Sequence, residues 1–188
     1  MDNIYGLKMI KENRFEKINP FVNGYLKTTL PKKLTEGLRK ICLDKNKSVD
    51  EWNTYDFYNW DFPEIKELNM LQVDMVKEFM NTYDSVKHSD IFNFKGWVNI
   101  RKDKSWHNPH FHPGIPLIFN VYISVPEDTS ISFMNPDQNS KGYSDGSYHI
   151  IKPEEGTMIL TPGWWLHWTD PTFKNEDRIS MSSNVEIQ

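Results

Sequence analysis

A chain of 188 residues can bury one good core, and a formal charge of −4 leaves no basic excess with which to coat nucleic acid. Its 38% apolar and 26% charged residues suit a soluble globule, and no stretch approaches the roughly 18 to 20 apolar residues of a membrane span. The single cysteine, Cys42, excludes an internal disulfide, and no N-terminal apolar run resembles a secretory signal, so a soluble cytoplasmic protein is expected.

The first thirty residues read as short strands and turns, with Phe21 and Val22 running into an Asn23-Gly24 pair suited to a tight reversal. Pro31 opens a helix whose Leu34, Leu38, Ile41 and Cys42 form one stripe, and the polar run Asp44 to Asp50 ends it. On that stripe Cys42 reads as a small core residue. Asp61 and Pro63 mark a second helix start. Its Ile65, Leu68, Leu71, Met75 and Phe79 recur at steps of three or four, the pattern of a helix covering a sheet, while Glu64, Lys66, Glu67 and Lys77 form a solvated face.

After about residue 90 the period changes, as β-branched and aromatic runs alternate with Pro, Gly, Asn and Asp. Strands are expected at Phe92–Arg101, His107–His112, Leu117–Val125, Ser130–Met134, Ser147–Ile151, Thr157–Leu160, Leu166–Trp168 and Arg178–Ile187. Many short strands with a heavy aromatic load predict a barrel or double-sheet jelly roll. The fold class is therefore α+β, mainly β. Residues 1–188 form one domain, with 1–90 as helical and strand support and 91–188 as the β core.

Three of the six histidines crowd into His107-Asn108-Pro109-His110-Phe111-His112. In an extended strand, residues two apart share a face at about 7 Å. His110 and His112 can then converge on one ion, while Phe111 points into the opposite layer. His107, an odd number of positions from both, points away if the strand is regular, though Pro109 argues against regularity. A third ligand is available in His167, which follows the Pro162-Gly163 turn. Eleven positions later, the last strand sets Ile179, Met181 and Val185 on one face and Arg178, Ser180, Ser182 and Asn184 on the other. A polar face inside a barrel needs partners, and a dicarboxylate held by the Arg178 fork and Ser180 would supply them. Any one of these histidines alone would read as an ordinary core or surface residue. His88 and His149 are left as such.

These residues resemble the Fe(II)/2-oxoglutarate-dependent dioxygenases of double-stranded β-helix fold. The similarity is nearest to a bacterial and phage branch with a Trp-x-Asn strand, then Asn-Pro-His-x-His-Pro-Gly, then a Val-Tyr strand. Here these are Trp97-Val98-Asn99, Asn108 to Gly114, and Val121-Tyr122. Pro162 to His167 matches a later Pro-x-Trp-Leu-x-His segment with an offset of one residue, and Arg178-Ile179-Ser180 with Asn184 matches the closing strand. The likeness covers roughly residues 92–188. Three positions depart from it. His112 stands where the superfamily has a carboxylate, Asn135-Pro136-Asp137 replaces Asp-Pro-Arg, and Phe119-Asn120 replaces a small Ser-Gly pair.

The resemblance implies an oxygenase, a hydroxylase in the first instance, that takes Fe(II), O2 and 2-oxoglutarate. Its metal ligands would be His110, His112 and His167, and its cosubstrate would lie on Arg178 and Ser180. Tyr122 and Asn99 are further candidate cosubstrate contacts; Tyr122 reads equally well as a core aromatic with one hydrogen bond. Trp106, Trp164, Trp165 and Trp168 are available to wall the pocket or fill the core. Two other readings stay open. One is a cupin-like three-His metal dioxygenase that does not use 2-oxoglutarate, and the other is a non-catalytic metal-binding protein, structural in a phage particle.

Overall fold

The computed structural model describes residues 15–18, 24–46, 56–83, 91–101, 104–136, 148–173 and 176–188. The change of period near residue 90 corresponds to a change of layer. Before it lie two short strands, β1 (Glu16–Ile18) and β2 (Tyr25–Thr29), and two helices, α1 (Lys32–Asn46) and α2 (Pro63–Thr82). After it come β3 (Phe92–Arg101), β4 (His107–His110), β5 (Leu117–Ser124), β6 (Ile131–Met134), β7 (Tyr148–Ile151), β8 (Thr157–Pro162), β9 (His167–Thr169) and β10 (Arg178–Ile187).

Among the described residues the strands form two antiparallel sheets. The larger runs β1-β2-β8-β5-β10-β3 and the smaller β4-β9-β6-β7. The α+β, mainly β architecture expected from the sequence is therefore present. Each sequence-based strand after residue 90 lies within two residues of an observed one, and β3 and β10 coincide at both ends. The Phe21-Val22-Asn23 part of the first turn lies outside the described residues, although Ile18 pairs with Tyr25 across it. Helix α1 runs on to Asn46 through the first part of the polar run, and residues 47–50 lie outside the described region.

Pro63 occupies the first turn of α2, where its missing N–H costs nothing. Asp61 does not cap that helix; its carboxylate meets Lys66 Nζ at 2.6 Å on the surface. The stripe expected on α2 is buried at Ile65, Leu68, Met75 and Phe79, and it widens to Gln72, Val76 and Met80. Gln72 belongs to a buried polar link that the apolar period does not show. Tyr58 Oη lies 2.6 Å from Gln72 Oε1 and 3.0 Å from Ser183 Oγ, which ties α2 to β10.

Two cores result. One joins the helices to the outer face of the large sheet, through Leu34, Leu38, Cys42, Leu68, Met75 and Phe79 against Phe119, Val121, Leu160, Met181 and Val185. The other fills the space between the sheets with Tyr25, Tyr122, Ile131, Phe133, Ile159 and Trp165. Burial pushes the Cys42 thiol up to about 12, so it is an inert core residue as expected. No helix among the described residues is long and apolar enough to cross a membrane. Phe79 is fully buried against this outer core. Truncation in Phe79→Ala should cost about 3 to 5 kcal/mol, read as a lower urea midpoint at an unchanged slope.

Candidate metal centre

His110 ends β4, His167 begins β9, and the two are direct partners across that ladder. Their ring centroids lie 4.3 Å apart. His112 follows two residues after β4 and closes the group, 5.3 Å from His110 and 5.4 Å from His167. One ligand atom from each of the three lies within 4.8 Å of the others. Imidazole nitrogens on one ion at about 2.1 Å stand roughly 3 to 4 Å apart, so small side-chain rotations would seat an ion here.

The hydrogen bonds decide which nitrogens are free. His110 Nδ1 lies 2.7 Å from the Asn108 carbonyl, His167 Nδ1 lies 2.9 Å from the Trp165 carbonyl, and His112 Nδ1 lies 2.7 Å from Asn184 Oδ1. An oxygen of this kind only accepts, so each Nδ1 carries a proton, and in the neutral ring Nε2 is the nitrogen that holds the lone pair. Three neutral, oriented Nε2 atoms are what a first-row metal requires. Protonation is also opposed. Burial pushes His167 down to about 3 against its bond to the Trp165 carbonyl, and the neighbouring imidazoles add to the effect. Burial likewise lowers His112, with the Asn184 bond opposing.

One glycine holds this loop in place. The Gly163 carbonyl accepts from the His112 N–H at 2.8 Å, and its own N–H donates to the Pro116 carbonyl at 2.9 Å. A Cβ there would stand 2.1 Å from the Ile115 carbonyl oxygen, so the close approach admits only glycine.

The three imidazoles open onto a cleft of about 510 Å³, counted out to the solvent at its mouth, between the two sheets. Asn99, Tyr122, Arg178 and Ser180 all line it, together with Trp97, Arg101, Asn120 and Ser182. The alternation read from the sequence is thus the observed one. Arg178, Ser180 and Ser182 face the cleft, while Ile179, Met181 and Val185 face the helices. Arg178 is 2% exposed, and it donates to Thr169 Oγ1 at 2.9 Å and to the Asp170 carbonyl at 3.3 Å. Burial lowers it from its ordinary value, yet a guanidinium stays charged at any ordinary pH. No acidic side chain lines the cleft among the described residues. The Asn120 Nδ2 donor is buried there without a protein partner. A cationic cleft with donors to spare fits an anionic ligand.

Several expectations are corrected. The strand is not regular at His107, so the condition under which it would point away is not met. A register shift between His107 and His110 interrupts the ladder at Pro109, which cannot donate, and His107 turns into the cleft with its ring 4.3 Å from His110. Burial, followed by the charges of His110, Arg101 and Arg178, pushes it down to about 4. Phe111 faces solvent at 51% exposure rather than an inner layer. Of the four tryptophans considered, only Trp168 lines the cleft; Trp165 is core, and Trp106 and Trp164 are largely exposed. His149 is a structural residue, 3.0 Å from the Tyr25 hydroxyl, while His88 and Asp137 lie outside the described residues. Sequence reasoning placed Trp97 in a motif without giving it a role, and it stacks on His112 at 6.0 Å and 19°. Sequence reasoning missed Thr169, whose hydroxyl accepts from both Arg178 and the His107 N–H. Parity was the available signal: Trp97 is two from Asn99, and Thr169 is two from His167.

Residues 95–184, which hold all three imidazoles and Arg178, match the family described as "Putative 2OG-Fe(II) oxygenase". Solved structures with similar folds include a prolyl-4-hydroxylase of Pseudomonas putida, 12% identical, with a TM-score of 0.67 and 89% of each chain covered. A second is the viral collagen prolyl hydroxylase of Paramecium Bursaria Chlorella virus-1 in complex with 2OG, 16% identical, TM-score 0.60, covering 87% of this chain and 96% of that one. A third is HygX of Streptomyces hygroscopicus with nickel and 2-oxoglutarate bound, 13% identical, TM-score 0.60, covering 88% and 83%. At these identities the likeness is one of fold, the double-stranded β-helix. No curated protein matches the sequence.

Two outcomes follow from this geometry. Gly163→Ala, by forcing the His112 loop away, should weaken Co(II) affinity about tenfold or more, measured by titration of the visible Co(II) absorption. His167 has its ordinary value of 6.5 in the unfolded chain and about 3 in the folded one, so the unfolded chain takes up the proton first. Stability of the metal-free protein should therefore be full above about pH 6.5 and fall as pH drops towards 3. Urea midpoints of chelator-treated protein across this range would show the fall, and a flatter profile is expected in His167→Gln.

Proposed function

We propose that this 2OG-Fe(II) oxygenase domain, an oxidoreductase working with Fe(II), O2 and 2-oxoglutarate, holds its iron on His110, His112 and His167 and its cosubstrate on Arg178. One observation carries the assignment. One ligand nitrogen from each of three imidazoles lies within 4.8 Å of the others, and a buried guanidinium with no salt-bridged carboxylate among the described residues lines the same cleft. The residues fit both groups. The imidazoles are each held by an oxygen acceptor, and among the described residues the cleft presents cationic and hydrogen-bonding side chains but no acid.

Iron and 2-oxoglutarate, when bound, supply the oxidising chemistry: O2 is consumed, 2-oxoglutarate becomes succinate and CO2, and one oxygen atom enters a substrate C–H bond. The chain's own side chains bind, orient and shield. Arg178 clamps the distal carboxylate as a planar fork, with its free donors pre-aimed by Thr169 and the Asp170 carbonyl. Ser180 and Tyr122 add hydroxyl donors, and burial holds the Tyr122 proton in place by raising its pKa. Asn99 reaches Ser182 Oγ at 3.3 Å, and Ser182 donates to Asn120 Oδ1 at 3.1 Å. This chain stiffens the cleft floor across β3, β10 and β5 and leaves the Asn120 amide N–H for the ligand. Phe133, Ile131 and Trp165 exclude water from behind the metal.

Replacing the usual carboxylate by His112 leaves a bound iron with one positive charge more, which favours an anionic cosubstrate. In our reading residues 1–188 work as one domain, with 1–90 buttressing the barrel. Because one core joins both parts, the support would be inseparable from the site. A cytoplasmic setting fits both an oxygen-sensitive Fe(II) site and a free, buried Cys42. The net charge of −4 is likewise unsuited to general nucleic-acid binding.

Anaerobic titration with Fe(II) and 2-oxoglutarate should produce the weak visible charge-transfer band of the chelate. Arg178→Ala should raise the 2-oxoglutarate concentration needed by about 100-fold or more, the scale of a lost charge-paired contact, with Fe(II) affinity little changed. His112→Ala should abolish the band and His107→Ala should not. Tight Fe(II) binding with no band at any 2-oxoglutarate concentration would instead favour the three-His dioxygenase that does without this cosubstrate.

A further inference from the structure

Resting on the metal site proposed above, we infer that Asn184 is the positioning residue that makes His112 a competent metal ligand in place of a carboxylate. The three imidazoles are not held alike. His110 and His167 each donate Nδ1–H to the carbonyl two residues back, at Asn108 and Trp165, so their orientation is built into the local backbone. His112 has no such local acceptor. Its Nδ1 meets Asn184 Oδ1 at 2.7 Å, a side chain brought from 72 positions away on β10.

That difference matters because an imidazole can carry its single proton on either nitrogen. Without an acceptor at Nδ1, the proton can shift to Nε2 and remove the lone pair that the metal needs. The ring could also rotate about its χ2 bond. Trp97 stacks on the ring face and limits its tilt, but an aromatic face does not choose between the two nitrogens. Asn184 Oδ1 does both jobs: it fixes the tautomer and aims Nε2 into the cluster. A carboxylate ligand would have no proton to place and no use for such an acceptor. Asn184 is thus required by the presence of His112, and the two form a functional pair. The strand that carries it also carries Arg178 on the same face, so one rigid element sets both the metal ligand and the cosubstrate clamp.

The test is a double-mutant cycle read by Co(II) affinity of the full chain, from its visible absorption and calorimetry. Asn184→Ala should weaken binding about 10- to 100-fold, and Asn184→Asp, which keeps an acceptor oxygen, should restore it to within about tenfold of wild type. In a His112→Asp background the same Asn184→Ala change should alter affinity by less than about threefold. In the metal-free protein, ¹⁵N shifts of the His112 ring should report a proton on Nδ1 in wild type and a mixture of tautomers in Asn184→Ala. Equal losses of affinity in both backgrounds would mean general packing and overturn the positioning role, as would an unchanged affinity in Asn184→Ala. Failure of the wild type to take up Co(II) at all would overturn the metal-site reading, and this role with it.

Discussion

The site depends on one strand, β10, lying hydrogen-bonded between β3 and β5. Its ten residues pair with Phe92–Arg101 on one side and, through Val185 to Ile179, with Leu117–Ser124 on the other. Because a strand alternates strictly, this double pairing gives β10 two opposite surfaces. Ile179, Met181 and Val185 pack towards the helices, while Arg178, Ser180, Ser182 and Asn184 point between the sheets. A slip of one residue would bury the guanidinium in the apolar core and turn the methionine into the cleft, so register is strongly specified. Ser183 is the exception on the apolar face. Its hydroxyl is accommodated because Tyr58 and Gln72 arrive with it.

Electrostatics and packing agree at this strand. Among the described residues buried Arg178 hydrogen-bonds only to Thr169 and a backbone carbonyl, Asp128 and Asp170 act on it through their charge, and no acid lines the cleft. Left alone, a buried cation is costly, and the cost falls when an anion binds. Protons on His112 and His167 are disfavoured by the same enclosure that buries the guanidinium. The cleft is therefore primed by desolvation. It disfavours protons on His112 and His167 and favours negative charge beside Arg178.

The small sheet contributes the imidazole cluster through a defect. Pro109 breaks the β4 ladder, the register shifts between His107 and His110, and His112 leaves the strand to be held by Gly163. An unbroken strand would have placed His107 on the far face. The irregularity instead gathers a fourth imidazole beside the cluster and sets His112 against Trp97 and Asn184.

Much of this was legible in the chain itself. The 3.6-residue stripes of the helices and the two-residue alternation of β10 are local properties, and the latter placed Arg178 and Ser180 on the face that lines the cleft. Spacing paired His110 with His112 and offered His167 as a third ligand, and the likeness of roughly residues 92–188 to a known family supported that grouping. Four features were decided only by tertiary structure: the turn of His107 into the cleft, the exposure of Phe111, the stacking of Trp97 on His112, and the Tyr58-Gln72-Ser183 link. Each depends on a partner far away in sequence or on a break in register. Periodicity carries one strand's alternation, but it cannot say which neighbour will meet that strand or where the count slips.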